Sequence, residues 1–210
     1  YIATYVINIP GLNSGTVLLL LYLVVGSGMF AGILLTPVIY KKLGYKTTCV
    51  IAAVTGGVSL TAAFLLGKIN IYFALPFMTI GGLSLGSYNV LPYPMVGDSL
   101  DYLEWKTGER MEGVCFSLNS FVTKFNNAVG FIGLSAALTL FHFIEPSAAG
   151  VPAVQSASTV TGLFSLVTVI PGIGFLRALI PICFYDFSGV KKEKILSELV
   201  VKRKVIKNGV

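Results

Sequence analysis

Lys124 has the strongest claim to chemistry in this sequence, because it lies deep inside a stretch, Val114–Phe143, that holds no other charged residue. An ammonium in such a place serves as hydrogen-bond donor or as counter-charge to a carboxylate. Ser117, Ser120, Lys124 and Asn127 follow at spacings of 3, 4 and 3, which puts all four on one face of a helix. That face would line a hydrated pathway; the competing use of the lysine is a purely structural buried ion pair. Asn119 and Asn126, seven apart, fall on another face, for interhelical hydrogen bonding or for ligand contact. Tyr88 and Asn89, just before Pro92 and Pro94, offer an aromatic face and an amide, to packing or to the same pathway.

A second concentration of polar chemistry is Gly97–Gly113, which carries five of the nine acids of the chain: Asp98, Asp101, Glu104, Glu109 and Glu112. Carboxylates at the C-terminal end of a helix oppose its dipole. Their presence points to pairing with cations on adjacent loops. Asp98, Asp101, Glu104, Arg110 and Glu112 then form a charged gate, with an ordinary solvated loop as the alternative. Metal and covalent chemistry find no support. His142 is the single histidine, and Cys49, Cys115 and Cys183 have no paired spacing. The apolar stretches hold no paired carboxylates and no nucleophile with a base. The expectation is therefore no metal, no cofactor and no enzyme.

The elements that position these residues follow from composition. Of 210 residues 55% are hydrophobic and 11% charged, and mean hydropathy is +0.83. A soluble domain carries about a quarter charged residues, so this chain cannot cover a water-facing surface. Its apolar stretches are long enough to cross ~30 Å of hydrocarbon as helices. Five complete spans are predicted, 16–40, 47–66, 71–96, 114–143 and 159–187, preceded by Tyr1–Asn8 as the end of a truncated helix. Residues 1–187 thus form a helix bundle and 188–210 a basic tail. Turn formers or charge fill the connections at 8–15, 41–46, 67–70, 97–113 and 145–158.

Basic residues set the orientation. Of fifteen Lys and Arg, three lie in the 41–46 loop, two in 97–113 and seven in the tail, whereas the alternate loops hold only Lys68. The positive-inside tendency makes the first three cytoplasmic, including the C-terminus. Lys124 lies eleven residues beyond Gly113, ~16 Å into its helix and near the midplane. Arg177 is close enough to the cytoplasmic end to snorkel or to form a local pair. The tail is expected along anionic headgroups. Gly28-x-x-x-Gly32 and Gly82-x-x-x-Gly86 predict close helix contacts. Pro92 and Pro94 deny hydrogen bonds to the carbonyls of Tyr88 and Val90, predicting a bend, for packing or for lining a cavity.

The run Val90-Leu91-Pro92-Tyr93-Pro94-Met95-Val96-Gly97-Asp98, continued by Asp101–Gly113 and by Phe116–Lys124, resembles the signature of the glycoside–pentoside–hexuronide:cation symporters, the melibiose-permease-like branch of the major facilitator superfamily. Leu34-Leu35-Thr36-Pro37 with Lys41–Lys46 resembles the superfamily's loop between helices 8 and 9. The resemblance covers nearly the whole chain. It implies an all-α membrane protein, the C-terminal six-helix half of such a transporter: the end of helix 7 plus helices 8–12. It implies cation-coupled symport of a sugar or glycoside across the cytoplasmic membrane, with Na⁺, H⁺ or Li⁺ as coupling cation, membrane lipids as surroundings and an N-terminal half bearing the acidic site residues. Lys124 matches the intramembrane lysine of helix 11, and Ser120 and Asn119 match polar positions beside it. Melibiose permease has a helix-10 tryptophan where Asn89 stands, or Tyr88 with a slip of one, which implies a different sugar or a different way of stacking it. A lipid or drug carrier on the same fold and a non-transporting scaffold subunit are the alternatives. Nucleic acid is not an expected partner.

Overall fold

Asn13 opens the first long helix by accepting the Thr16 amide at 2.8 Å, satisfying one of the donors that a helix start leaves free. The computed structural model describes residues 2–7, 11–145, 153–187 and 189–207. Among these, every regular element is helical: a π-helical turn at Ile2–Val6, then α1 (Ser14–Leu43), α2 (Tyr45–Gly67), α3 (Ile71–Val90), α4 (Pro92–Thr107), α5 (Glu112–Leu140), α6 (Ala157–Val167), α7 (Val169–Cys183) and α8 (Gly189–Lys207). The opening segment expected over Tyr1–Asn8 is described only in part, since Tyr1 and Asn8 lie outside the described residues, as do 146–152 of the 145–158 loop and 188 and 208–210 of the tail.

Four stretches of described chain are long and apolar enough to cross a bilayer: Ser14–Leu43, Tyr45–Gly67, Ile71–Thr107 and Ala157–Cys183. The fifth expected span, 114–143, is the 29-residue α5. It has the length, but its amides, hydroxyls and Lys124 keep it out of that apolar class. The spans expected at 71–96 and 159–187 are each divided, and prolines supply the reason. Pro92 and Pro94 leave two carbonyls of the preceding turn without donors, and α3 gives way to α4 at Leu91. In a continuous helix the ring of Pro171 would meet the carbonyl of Val167, and α6 gives way to α7 at Thr168.

Two loops are shorter than expected. Gly44, at φ +80°, alone separates α1 from α2. The 97–113 segment is mostly helix: α4 runs to Thr107, and Gly108 closes it in the left-handed region at φ +81°. At the opposite end, Gln155 exchanges hydrogen bonds with the backbone of Ile144, 2.7 Å to its carbonyl and 3.1 Å from its amide, and clamps the ends of the loop before α6.

The glycine pairs do what their spacing predicts. Gly28 and Gly32 of α1 press on the carbonyls of Thr79 and Leu83, and Gly82 and Gly86 of α3 press on those of Val25 and Met29. A Cβ at any of the four would stand closer to backbone oxygen than real Cβ atoms come. Where lipid removes the hydrophobic drive for helix association, such close approach supplies dispersion contact instead. Hydroxyls join the same seams: Thr36 Oγ1 lies 2.6 Å from the Gly32 carbonyl and 2.8 Å from Ser87 Oγ, and Thr55 and Ser84 meet at 3.0 Å between α2 and α3. On its other side α2 packs on α7, with Gly56 against Phe175 and Gly57 against Leu176.

The basic segments gather at one end. Lys46 Nζ donates to the Cys183 carbonyl at 3.2 Å, and α8 lies on α4. Lys68 sits at the opposite end, over the Phe64 ring at 4.2 Å. The arrangement agrees with the alternation of charge between successive loops.

Candidate functional site

Continuous helix from Glu112 to Leu140 keeps Ser117, Ser120, Lys124 and Asn127 on one face, as the spacing requires. Lys124 is twelve residues from the start of α5, ~18 Å along its axis and near the middle of its length. α5 has no buried residue, and its neighbours in the fold are α4 and α6. Among the described residues Lys124 therefore has no ion pair and no hydrogen-bond partner. Ser117 turns its hydroxyl back to the Val114 carbonyl at 3.0 Å, and the Asn119 carbonyl accepts from Thr123 at 2.9 Å. Ser120 and Asn127 stand exposed. Arg177 on α7 is also exposed and unpaired among the described residues, as a snorkelling side chain would be.

Tyr88 and Asn89 are not brought to this face. Tyr88 donates to the Cys49 carbonyl at 3.2 Å and packs on Phe175 at 5.3 Å between ring centres, so it belongs to the seam between α2, α3 and α7. Asn89 donates to the Leu85 carbonyl of its own helix at 3.0 Å. Tyr88 lines a cavity of about 450 Å³ with Cys49, Met95, Pro181, Ile182 and Tyr185. Those walls are almost wholly apolar and offer a sugar few hydroxyl partners. Tyr88 is thus a packing residue here, which was one of the two readings its position allowed.

The acidic segment is drawn together as expected, with partners that were not foreseen. Arg110 reaches Glu104 at 3.1 Å, Asp101 at 3.5 Å and Glu112 at 2.5 Å. The other cations come from the tail. Arg203 of α8 holds Glu104 at 2.6 and 2.7 Å and Asp101 at 3.0 Å. Lys192 holds both oxygens of the buried Asp98, at 2.6 and 2.7 Å, and Tyr185 donates to the same carboxylate at 3.0 Å. Trp105 donates to Glu198 at 2.7 Å. The tail expected along headgroups is thus a helix that commits Lys192, Arg203 and the buried Ile195 and Leu199 to the protein. The heptad-like spacing of 192, 195, 199 and 203 was the available signal.

Hydrogen bonding from Arg203, with Arg110 beside it, holds the Glu104 carboxyl below its ordinary value of 4.5. Burial pushes the Tyr185 hydroxyl above its ordinary range, assisted by the charge of Asp98. A lowered carboxylate contributes its stabilisation above its unfolded value and loses it as pH falls through the folded one. The contact of α8 with α4 should therefore persist from neutral pH down to about 5 and weaken below the ordinary 4.5 of Glu104. Emission from Trp105, the single tryptophan of the chain, is the measurement: no change down to about pH 5, then a red shift as the indole leaves Glu198.

Residues 1–189 match the family described as MFS/sugar transport protein. The chain belongs to this family, in its glycoside–pentoside–hexuronide branch. This transporter-family chain is 28% identical over 201 residues to a glucuronide carrier protein homolog of Escherichia coli, covering 96% of the chain and 42% of that protein. It is 28% identical over 174 residues to an isoprimeverose transporter of Lactiplantibacillus pentosus, covering 81% and 34%. A putative sulfoquinovose importer of Salmonella typhimurium is 28% identical over 174 residues, covering 82% and 35%. The chain thus spans about two-fifths of the length of the relatives it matches. Family membership and the apolar helices together make it a multi-pass membrane protein, and the match is to transporters rather than enzymes.

Proposed function

We propose that the chain is the C-terminal half of a carrier that moves a sugar or glycoside across the cytoplasmic membrane by symport with Na⁺, H⁺ or Li⁺. One observation carries this beyond family membership. The polar face of α5 presents Lys124 near mid-helix without a partner among the described residues. A charge at membrane depth faces protein or water rather than lipid, at a cost of about 2.5–3.5 kcal/mol on insertion scales if it does not. The face is therefore the wall of an aqueous route whose opposite wall is an N-terminal six-helix half. Substrate binds between the halves at the midplane, and their rocking alternates access. Lys124 supplies the counter-charge there, with Ser117, Ser120 and Asn127 beside it and Asn119 on the adjoining face. The segment of Asp98, Asp101, Glu104, Arg110 and Glu112 gates the cytoplasmic side, and the surrounding lipids meet the exposed apolar flanks of α1, α2 and α7.

Two measurements test the reading. In the full-length carrier, gradient-driven uptake of a glycoside into proteoliposomes should require an imposed Na⁺, Li⁺ or H⁺ gradient, and uptake indifferent to all three would remove the coupling. The basic loops, α8 included, are assigned to the cytoplasm. A cysteine at Ser156, in a background free of Cys49, Cys115 and Cys183, should react with an impermeant maleimide from outside intact cells. One at Ser197 should not, and the reverse pattern would invert the topology.

A further inference from the structure

α4 is joined to the bundle through Leu91, where the two prolines weaken the helical ladder. Beyond α4, the chain continues as α5, which buries nothing. The two helices thus form an arm with a weak joint at Leu91 and a tie at its far end, where the Phe141 carbonyl accepts from Thr159 of α6 at 2.8 Å. Between those ends α5 buries nothing, and most of the polar contacts of α4 come from α8. Lys192, Ile195, Leu199 and Arg203 share one helical face; Ile195 and Leu199 are 4% and 2% exposed. Asp98, 8% exposed, is the hub. It takes Lys192 from α8 and Tyr185 from just after α7, and the same ammonium lies 4.8 Å from the Tyr45 ring at the start of α2. Arg203 grips Asp101 and Glu104, about one and two turns further along α4, and Lys202 donates to the Trp105 carbonyl at 3.2 Å.

We propose that α8 is a charge-operated clasp that fixes the α4–α5 arm against α2 and α7, and whose release lets the arm pivot at Leu91–Pro94. The inference builds on the gate assigned to the 97–113 segment, naming the element that regulates it. Two kinds of contact give the clasp its character. The Arg203 pairs are partly exposed, with 41% of the arginine side chain accessible, so salt screens them. The Asp98–Lys192 pair is sheltered, at 11% and 24% accessible, and losing its cation leaves a buried carboxylate unpaired. The clasp therefore loosens in steps, the outer pairs first.

Electron–electron distance measurements on the full-length carrier in nanodiscs test this, with spin labels on Ser99→Cys of α4 and Thr47→Cys of α2 and the three native cysteines replaced. The unaltered clasp should give one short, narrow population at low salt. Arg203→Gln and Lys192→Gln should each add a longer, broader one, and so should about 1 M salt, where the Debye length is ~3 Å. The exchange Asp98→Lys with Lys192→Asp should restore the short population. Lys191→Gln should change nothing, because Lys191 pairs with Asp186 outside the clasp. A single unaltered distance in both Gln variants would show α8 to be passive packing and overturn the proposal. A broad distribution at low salt in the unaltered clasp would do the same. The distances are read without substrate, so they stand or fall separately from the transport reading.

Discussion

Lys124→Ala in the full-length carrier should reach the membrane in normal amount and lose at least about tenfold in gradient-driven sugar accumulation. Removing a charge from the middle of a span lowers the cost of insertion by about 2.5–3.5 kcal/mol on translocon scales, so abundance should not suffer. In the described chain no carboxylate depends on this ammonium, so the bundle itself has nothing to lose. The loss falls on the pathway. On the proposed function, a carboxylate facing Lys124 from the other half would lose its counter-charge and take up a proton instead, and coupling to the cation gradient would fail even where sugar still binds. Lys124→Arg should recover only part of the accumulation, because a planar guanidinium does not reproduce a compact ammonium. Membrane abundance and uptake measured on the same cells decide the matter. Reduced abundance with full accumulation by the surviving protein would assign Lys124 to a structural ion pair.

Gly32→Leu should cause a large loss of stability, on the order of 3 kcal/mol. The added Cβ would be driven onto the carbonyl and Cα of Leu83, both backbone atoms of α3 that cannot rotate away. α1 and α3 would have to separate along their whole crossing, opening the Thr36–Ser87 contact at 2.8 Å as they did so. Gly26, in the same helix, has nothing within 4 Å of its Cβ position, so Gly26→Leu is the matched control and should unfold close to the unaltered temperature. Thermal unfolding in detergent reads both. Equal unfolding temperatures for the two variants would mean that α1 and α3 do not make this contact in the folded carrier.

How much of this was legible before folding depends on the range of the interaction. The glycine pairs were readable because close approach of helices needs a bare backbone at a fixed spacing, and both halves of the contact carry that spacing. The interruption at Leu91 was readable because a proline removes its own amide. The direction of Tyr88 was not. Position 88 permits either the α5 side or the α2–α7 seam, and only the packing of Phe175 and the Cys49 carbonyl chose the seam. The acids between 98 and 104 announced a need for cations, but nothing local showed that Lys192 and Arg203, 94 and 99 residues downstream, would meet it.

The sequence by itself determined the solvent, the helical class, the break at the Pro92–Pro94 pair and the family. Each of these is settled within a turn or two of chain: hydrocarbon leaves a spanning backbone no hydrogen-bond partners but its own, and charge density and proline are local properties. Tertiary structure alone decided which polar groups are consumed and which are left over. Lys192 and Arg203 look like any other tail cations in sequence, yet they are spent on α4. Lys124 looks like a candidate for a buried pair, yet among the described residues its helix is left uncovered and its charge has no partner. Pairing of charges is a matter of distance in space, and only the packing of α8 against α4, and of α5 against α4 and α6 among the described elements, sets that distance.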